Sequence, residues 1–129
     1  GVDGRIYPWG HGFSSAWCCM EDSKETKGIE VITSRPLDRS VYGVQGLAGH
    51  VFDWINEPFA PDQALPDDQR CKVVDPEGIV DQPMVFKGGS WHSLTMFSHC
   101  AMRWGFGANE PWPMLGFRLV RSVPGESKP

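Results

Sequence analysis

The sequence has no excess of basic residues and no long apolar run. Its 12 lysines and arginines are outnumbered by 16 acidic residues, so the net charge is -4 and the pI is near 5.5. Nucleic-acid binding depends on basic groups that neutralise phosphates, and this balance argues against such a partner. No stretch approaches the roughly 18 apolar residues of a membrane span, and residues 1–5 lack the charged and apolar regions of a signal peptide.

The sequence also lacks paired cysteine motifs. Its four cysteines are Cys18, Cys19, Cys71 and Cys100, and their spacing matches neither a CxxC pair nor a zinc ribbon. Adjacent cysteines bridge each other only through a strained ring, so a long-range bridge from Cys18 or Cys19 is more favourable than a vicinal one. Reduced thiols packed in the core are the alternative, and the compartment is not identified by these residues.

What the chain does contain is abundant glycine and proline within a length that suits one domain. Its 129 residues include 15 glycines and 11 prolines, which favours short elements and irregular backbone. We predict strands at residues 31–33, 51–55, 84–87 and 115–120, and a long surface excursion over residues 56–83. Gly43, Gly46 and Gly49 recur at three-residue spacing and are predicted to supply positive φ or close backbone approach.

Residues 92–115 combine aromatic side chains with glycine and proline breakers, which is typical of a functional loop supported by a scaffold. Trp104 and Trp112 lie beside polar Asn109 and Glu110, a composition that suits a recognition surface. The predicted ligand-binding residues are His92, Ser93, Thr95, Phe97, His99, Trp104, Phe106, Asn109 and Trp112.

Four motifs in order carry a family resemblance: Tyr-Pro-Trp-Gly at residues 7–10, the glycine-rich residues 42–54, Lys-Gly-Gly-Ser-Trp at 87–91 and Gly-Phe-Arg-Leu-Val-Arg at 116–121. Together they resemble the formylglycine-generating enzymes, or sulfatase-modifying factor domains. The resemblance implies an α+β fold, a variant of the C-type-lectin-like fold with little regular structure. It predicts one domain over residues 1–123, corresponding to the C-terminal portion of the family domain. The composition of residues 124–129 independently predicts a disordered tail.

In these enzymes, two copper-binding cysteines stand two and seven residues beyond the aromatic residue of the Gly-Gly-Ser motif. The matching positions here are Ser93 and Ser98. A serine hydroxyl is neither soft nor anionic at neutral pH, so a Cu(I) site of that type is not expected. An alternative is a copper- or iron-dependent oxidoreductase acting on a thiol or cysteine-containing substrate, with His92, His99 and Cys100 in the roles of the lost cysteines.

The resemblance also bears on calcium and on a disulfide. The family motif Gly-Asn-Val-Trp-Glu-Trp binds Ca²⁺ through oxygen atoms, whereas residue 50 of this chain is a histidine. Asp53 and Gly49 remain the candidate calcium ligands, and a carboxylate that orients the glycine turn is the alternative role for Asp53. Family members also imply a disulfide from Cys18 or Cys19 to Cys100, which would place the protein outside the cytoplasm.

The resulting prediction is a non-catalytic binding module that presents residues 92–115 to a protein, peptide or glycan. Apart from calcium, no cofactor is expected. Similar domains occur appended to signalling proteins and as variable ligand-binding proteins of diversity-generating retroelements. A third alternative is that the chain is one piece of a larger assembly, because the helix that precedes Tyr-Pro-Trp-Gly in the family has no counterpart here. An upstream segment or a partner chain would then supply it.

Overall fold

The computed structural model describes residues 3–23, 25, 27–59, 83–107 and 111–121. Within these residues regular structure is sparse, as the glycine and proline content predicts. The strands are β1 (Phe52–Pro58), β2 (Pro83–Lys87), β3 (Trp104–Gly107) and β4 (Leu115–Gly116). Short 3₁₀ helices occupy Ser15–Trp17, Glu21–Ser23 and Thr95–Ser98. No helix of the described segments is long and apolar enough to cross a membrane.

The four strands form one mixed sheet in the order β3-β2-β1-β4. β2 pairs antiparallel with both β1 and β3, whereas β4 pairs parallel with β1. Phe86 lies opposite Trp54 on one side and opposite Trp104 on the other, so all three side chains share a face. Lys87 lies opposite Asp53 in the register of β2 and β1, so the side chains of these two residues are on the other face of the sheet. The sheet has an aromatic face and a face that carries charge.

The core lies on the aromatic face. Phe52 and Phe86 are both buried, and their rings meet edge to face with centroids 4.8 Å apart. A second, smaller cluster consists of Cys18, Met20 and Ala48, with Trp9 packed against it. Trp9 also stacks on Tyr7 with ring centroids 5.4 Å apart, and its packing against the small cluster ties the Tyr-Pro-Trp-Gly turn to the scaffold.

The glycine-rich segment before β1 is a turn that needs glycine, as predicted. Gly43, Gly46 and Gly49 have φ values of 81°, 63° and 86°. Asp38 is fully buried beneath this turn, and its carboxylate accepts hydrogen bonds from the backbone N–H groups of Leu47 and Ala48. The turn is thus held by a buried carboxylate as well as by its own backbone geometry.

Two predicted strands are confirmed, one is confirmed in part and one is wrong. The strand over residues 51–55 corresponds to β1, which continues to Pro58, and the strand over 84–87 corresponds to β2. Residues 31–33 form a turn instead, closed by a hydrogen bond from Ser34 N to Val31 O, and Arg35 fixes this turn by binding Glu30. The predicted strand over 115–120 pairs only at Leu115–Gly116. Residues 60–82 and the tail 124–129 lie outside the described residues.

Candidate functional site

Four aromatic side chains form a surface that we term the aromatic patch: Phe97, Trp104, Phe106 and Trp112. Trp112 stacks on Phe106 with ring centroids 4.5 Å apart and an interplanar angle of 22°. Trp104 meets Phe97 edge to face at 5.7 Å. Trp104 is nevertheless 46% exposed and Trp112 36% exposed. The two tryptophans are accessible to a ligand although their rings are supported by the protein.

The buried core supports the patch from below. The ring centroid of Phe52 lies 6.0 Å from that of Phe97 and 6.4 Å from that of Trp112. The ring centroids of Phe86 and Phe106 are 6.3 Å apart. The alternation of β3 directs Trp104 and Phe106 to the aromatic face. Packed aromatic pairs restrict ring rotation, so the patch is preorganised rather than assembled by a ligand.

The two serines at the family's copper positions are used as structural hydrogen-bonding groups. Ser93 is buried, its Oγ accepts from Ser90 N at 3.0 Å, and it lies 2.8 Å from Ser90 Oγ. Ser98 is also buried and donates to Thr95 O at 2.7 Å, closing the 3₁₀ helix that begins at Thr95. Neutral hydroxyls in these bonds are not a thiolate pair, so the residues present do not fit a Cu(I) ion.

The histidines proposed for an oxidoreductase have separate partners. His92 Nδ1 lies 3.4 Å from Glu21 Oε1, whereas His99 Nε2 lies 3.2 Å from the hydroxyl of Tyr7. His99 and Cys100 line a cleft at the charged face of the sheet. Among the described residues, no group of three or more His, Cys, Asp or Glu side chains could hold a metal ion.

Asp53, the candidate calcium ligand, is engaged by Arg118 of the last motif. Its Oδ2 accepts from Arg118 Nε at 2.7 Å, and the same guanidinium donates to the carbonyl oxygens of Gln45 and Gly46. The pair therefore fixes the glycine turn, which is the alternative role predicted for Asp53. The N–H of Gly49 donates to Gly88 O at 2.7 Å. Calcium binding at Asp53 and Gly49 stays a prediction, and a calcium ion would compete with Arg118 for the carboxylate.

The predicted disulfide from Cys18 or Cys19 to Cys100 is not formed in this structure. Cys18 lies in the small apolar cluster, and its burial, together with the charge of Asp38, raises its pKa to about 12. Cys19 Sγ faces the carbonyl oxygen of Gly28 at 3.6 Å. Cys71 lies outside the described residues. In this structure Cys18 therefore contributes to core packing, and Cys19 makes a local hydrogen bond.

Thiol accessibility provides a direct check. Alkylation of the native chain with iodoacetamide should modify half-buried Cys100 and leave Cys18 unmodified, because a buried thiol with a raised pKa forms little thiolate. Peptide mapping by mass spectrometry measures the modification at each site, and the same reaction in urea, where Cys18 becomes reactive, is the control. A Cys18–Cys100 or Cys19–Cys100 cross-linked peptide in the non-reduced digest would contradict the structure, in which neither bridge is formed.

The structure brings together part of the predicted site. The aromatic patch contains four of the predicted residues, Phe97, Trp104, Phe106 and Trp112. Ser93 and Thr95 instead accept hydrogen bonds within the protein, from Ser90 N and Ser98 Oγ respectively. Asn109 lies outside the described residues. Sequence reasoning missed the roles of Asp38 and Lys87. Lys87 is a cation next to the buried run of β2, and this signal could have indicated a charged group facing a cavity.

These observations define a mixed α+β domain with a curled sheet and few helices, which is the formylglycine-generating variant of the C-type-lectin-like fold. The sulfatase-modifying factor enzyme 1-like domain family matches residues 1–123. The chain belongs to this family, and the fold and the resemblance predicted from the four motifs are confirmed.

One solved structure supports the fold independently. The chain is similar to Treponema denticola variable protein 1, with a TM-score of 0.61 and 20% sequence identity over 86% of this chain. The match covers 39% of that protein, so this chain spans well under half of its length. At this identity the likeness concerns the fold alone. No curated protein matches the chain.

Proposed function

We propose that this domain is a non-catalytic binding module whose aromatic patch receives a protein, peptide or glycan ligand. The observation that carries the proposal is the half-exposed state of Trp104 and Trp112, whose rings are held by Phe97 and Phe106. Exposed tryptophans with fixed orientation offer a large apolar area at low entropic cost, and such residues dominate the energetics of recognition surfaces.

The chemistry of residues 92–115 supports binding over oxidation. The hydroxyls of Ser93 and Ser98 are engaged within the protein, and neither is a ligand that would activate oxygen on copper. The recognition groups of the segment are flat rings. Stacking on a flat ring serves a sugar face or a peptide side chain equally well, which leaves both ligand classes within the proposal.

Removal of one patch tryptophan should abolish most of the binding. Screening of the full chain on a glycan array and against a displayed peptide library supplies ligands, and calorimetry then compares wild type with Trp104→Ala and Trp112→Ala. We expect each variant to lose about tenfold or more in affinity, as truncation of an interface hot spot does. Tyr42→Ala, which removes an exposed aromatic residue outside the patch, is the matched control and should bind as wild type.

Equal affinity of wild type and both tryptophan variants for every selected ligand would reject the patch. Oxygen consumption with a thiol substrate, accompanied by metal analysis of the purified chain, tests the alternative enzyme. Turnover that depends on stoichiometric copper or iron would replace the binding proposal with an oxidoreductase.

A second candidate, in which another polypeptide completes the domain, is favoured by residues 117–120. This segment continues from β4, and Leu119 and Val120 are 91% and 94% exposed. The Leu119→Asp substitution should abolish binding of a partner that docks here, whereas the tryptophan variants should still bind it. The opposite pattern is expected for a ligand of the aromatic patch, so the same variants separate the two candidates.

A further inference from the structure

The charged face of the sheet carries a cleft that the proposed function does not use. Its volume is about 680 Å³, within the usual range for small-molecule sites, and it lies between the sheet and the segment that contains Ser98, His99 and Cys100. Its walls are mainly apolar and include Leu47, Ile55 and Val120, with Lys87 among them. A cleft of this size and lining suits an organic ligand with an apolar body.

Lys87 supplies a cation to this cleft. Its Nζ donates to the carbonyl oxygen of Cys100 at 2.7 Å, and an ammonium has two further N–H donors. Among the described residues, no carboxylate lies within ion-pair distance of this ammonium. A half-buried positive charge held by one neutral carbonyl is incompletely compensated.

The electrostatic surroundings agree with this geometry. Burial lowers the pKa of Lys87, the positive charge of Arg103 acts in the same direction, and Cys100 and Glu57 oppose it. Glu57 is itself paired with Arg103 and does not reach the ammonium. An anion placed beside Lys87 would restore the compensation that the protein leaves incomplete.

The other cation of the cleft is already neutralised. Arg118 binds Asp53 and donates to the carbonyls of Gln45 and Gly46, so its guanidinium has little capacity for a ligand. Among the described lysines and arginines that line the cleft, Lys87 is the cation left for a ligand, and one ammonium matches one negative charge. A phosphate dianion would call for more donors, commonly a free arginine fork, than this cleft offers.

We propose that the cleft binds a monocarboxylate with an aliphatic body, whose carboxylate pairs with Lys87 Nζ while its chain packs between Leu47, Ile55 and Val120. This site is independent of the aromatic patch, which lies on the other face of the sheet. The two sites therefore fail or succeed separately.

Calorimetric titration with octanoate, and with octanamide as a neutral analogue of the same length, tests the site. Octanoate should bind wild type saturably, and Lys87→Met should weaken its binding by roughly tenfold or more, because a charged hydrogen bond is lost while the apolar stem stays. Octanamide should bind weakly and equally to both proteins. Lys27→Met removes the same charge from an exposed position and should leave octanoate binding unchanged.

Val120→Asp provides a second variant that does not depend on the stability of Lys87→Met, because Val120 is almost fully exposed. At low ionic strength its carboxylate should repel octanoate and weaken binding several-fold, by roughly the energy of one partly screened charge pair. The proposal is overturned if wild type shows no saturable octanoate binding, or if octanoate binds wild type and both cleft variants with equal affinity. Trp104→Ala should have no effect on octanoate, and a loss there would place the ligand on the patch instead.

Discussion

Replacement of Gly49 by alanine should prevent folding of the chain. A Cβ atom on Gly49 would lie 2.0 Å from the carbonyl oxygen of Cys19, a backbone atom that cannot move aside like a flexible side chain. The substitution also places a side chain at φ +86°, a conformation that glycine alone adopts readily. We expect a loss of about 4 kcal/mol or more, which is comparable to the whole stability of a small domain.

Gly43→Ala is the matched control for this prediction. Gly43 has nearly the same φ, +81°, but a Cβ atom there would meet nothing within 4 Å. Only the backbone strain applies, so we expect a loss of about 1 to 2 kcal/mol. Urea unfolding followed by circular dichroism measures both variants. If Gly49→Ala and Gly43→Ala were equally stable, the close approach of Cys19 would not contribute to the fold.

The effect at Gly49 is large because three segments meet at this residue. Its N–H donates to Gly88 O, and the next N–H, that of His50, donates to Cys19 O at 2.8 Å. Both bonds require the backbones to approach closely. A single methyl group would separate the turn after β2 from the segment that carries Cys19, and the shift would reach the start of β1.

This contrast illustrates how far the sequence predicts the fold. The spacing of Gly43, Gly46 and Gly49 predicts positive φ at all three, because backbone conformation is a local property. Which of them is crowded depends on segments far away in the chain, and no local pattern contains that information. The motifs predicted the family for the same reason that the glycines predicted the turn: each is a short, specific pattern.

The candidate site divides along the same line. The aromatic composition of residues 92–115 predicted Phe97, Trp104, Phe106 and Trp112 as surface groups, and the structure joins them as one patch. Their support by Phe52 and Phe86 depends on strand register and was not predictable. The cleft at Lys87 is not predictable from the sequence, because its walls come from separate motifs that meet only when the sheet has formed.

Replacement of Asp38 by alanine should cost about 2 to 4 kcal/mol of stability. Asp38 is fully buried, and its carboxylate accepts from the N–H groups of Leu47 and Ala48, which would be left without partners. Asp38→Asn keeps one acceptor oxygen and nearly the same volume, so it should retain more stability than the alanine variant. Urea unfolding at pH 5 measures the stabilities of wild type and the two variants. An equal loss of stability in both variants would mean that the hydrogen-bond acceptor role of Asp38 is unimportant.

The pH dependence of the wild type provides a sharper test of Asp38. Burial raises its pKa to about 6 from the ordinary 3.8, although its bonds to Ala48 and Leu47 and the charge of Arg118 oppose the shift. The folded state therefore binds a proton more tightly than the unfolded state. The stabilisation from this proton is complete below pH 3.8 and is lost as the pH rises through about 6.

Unfolding measured from pH 5 to 7.5 should consequently show a free energy of unfolding that falls by about 1.4 kcal/mol, the linkage of the one pKa unit between pH 5 and the pKa of about 6, and that then levels off. The pKa values of Asp3 and Glu21 are lowered by their partners Arg5 and Lys27. The stability that these two carboxylates contribute is therefore lost only as the pH falls below their ordinary pKa values. They do not contribute within this window. Asp38→Asn has no proton to lose and should abolish the slope, whereas a slope that persists in this variant would assign the pH dependence to another group.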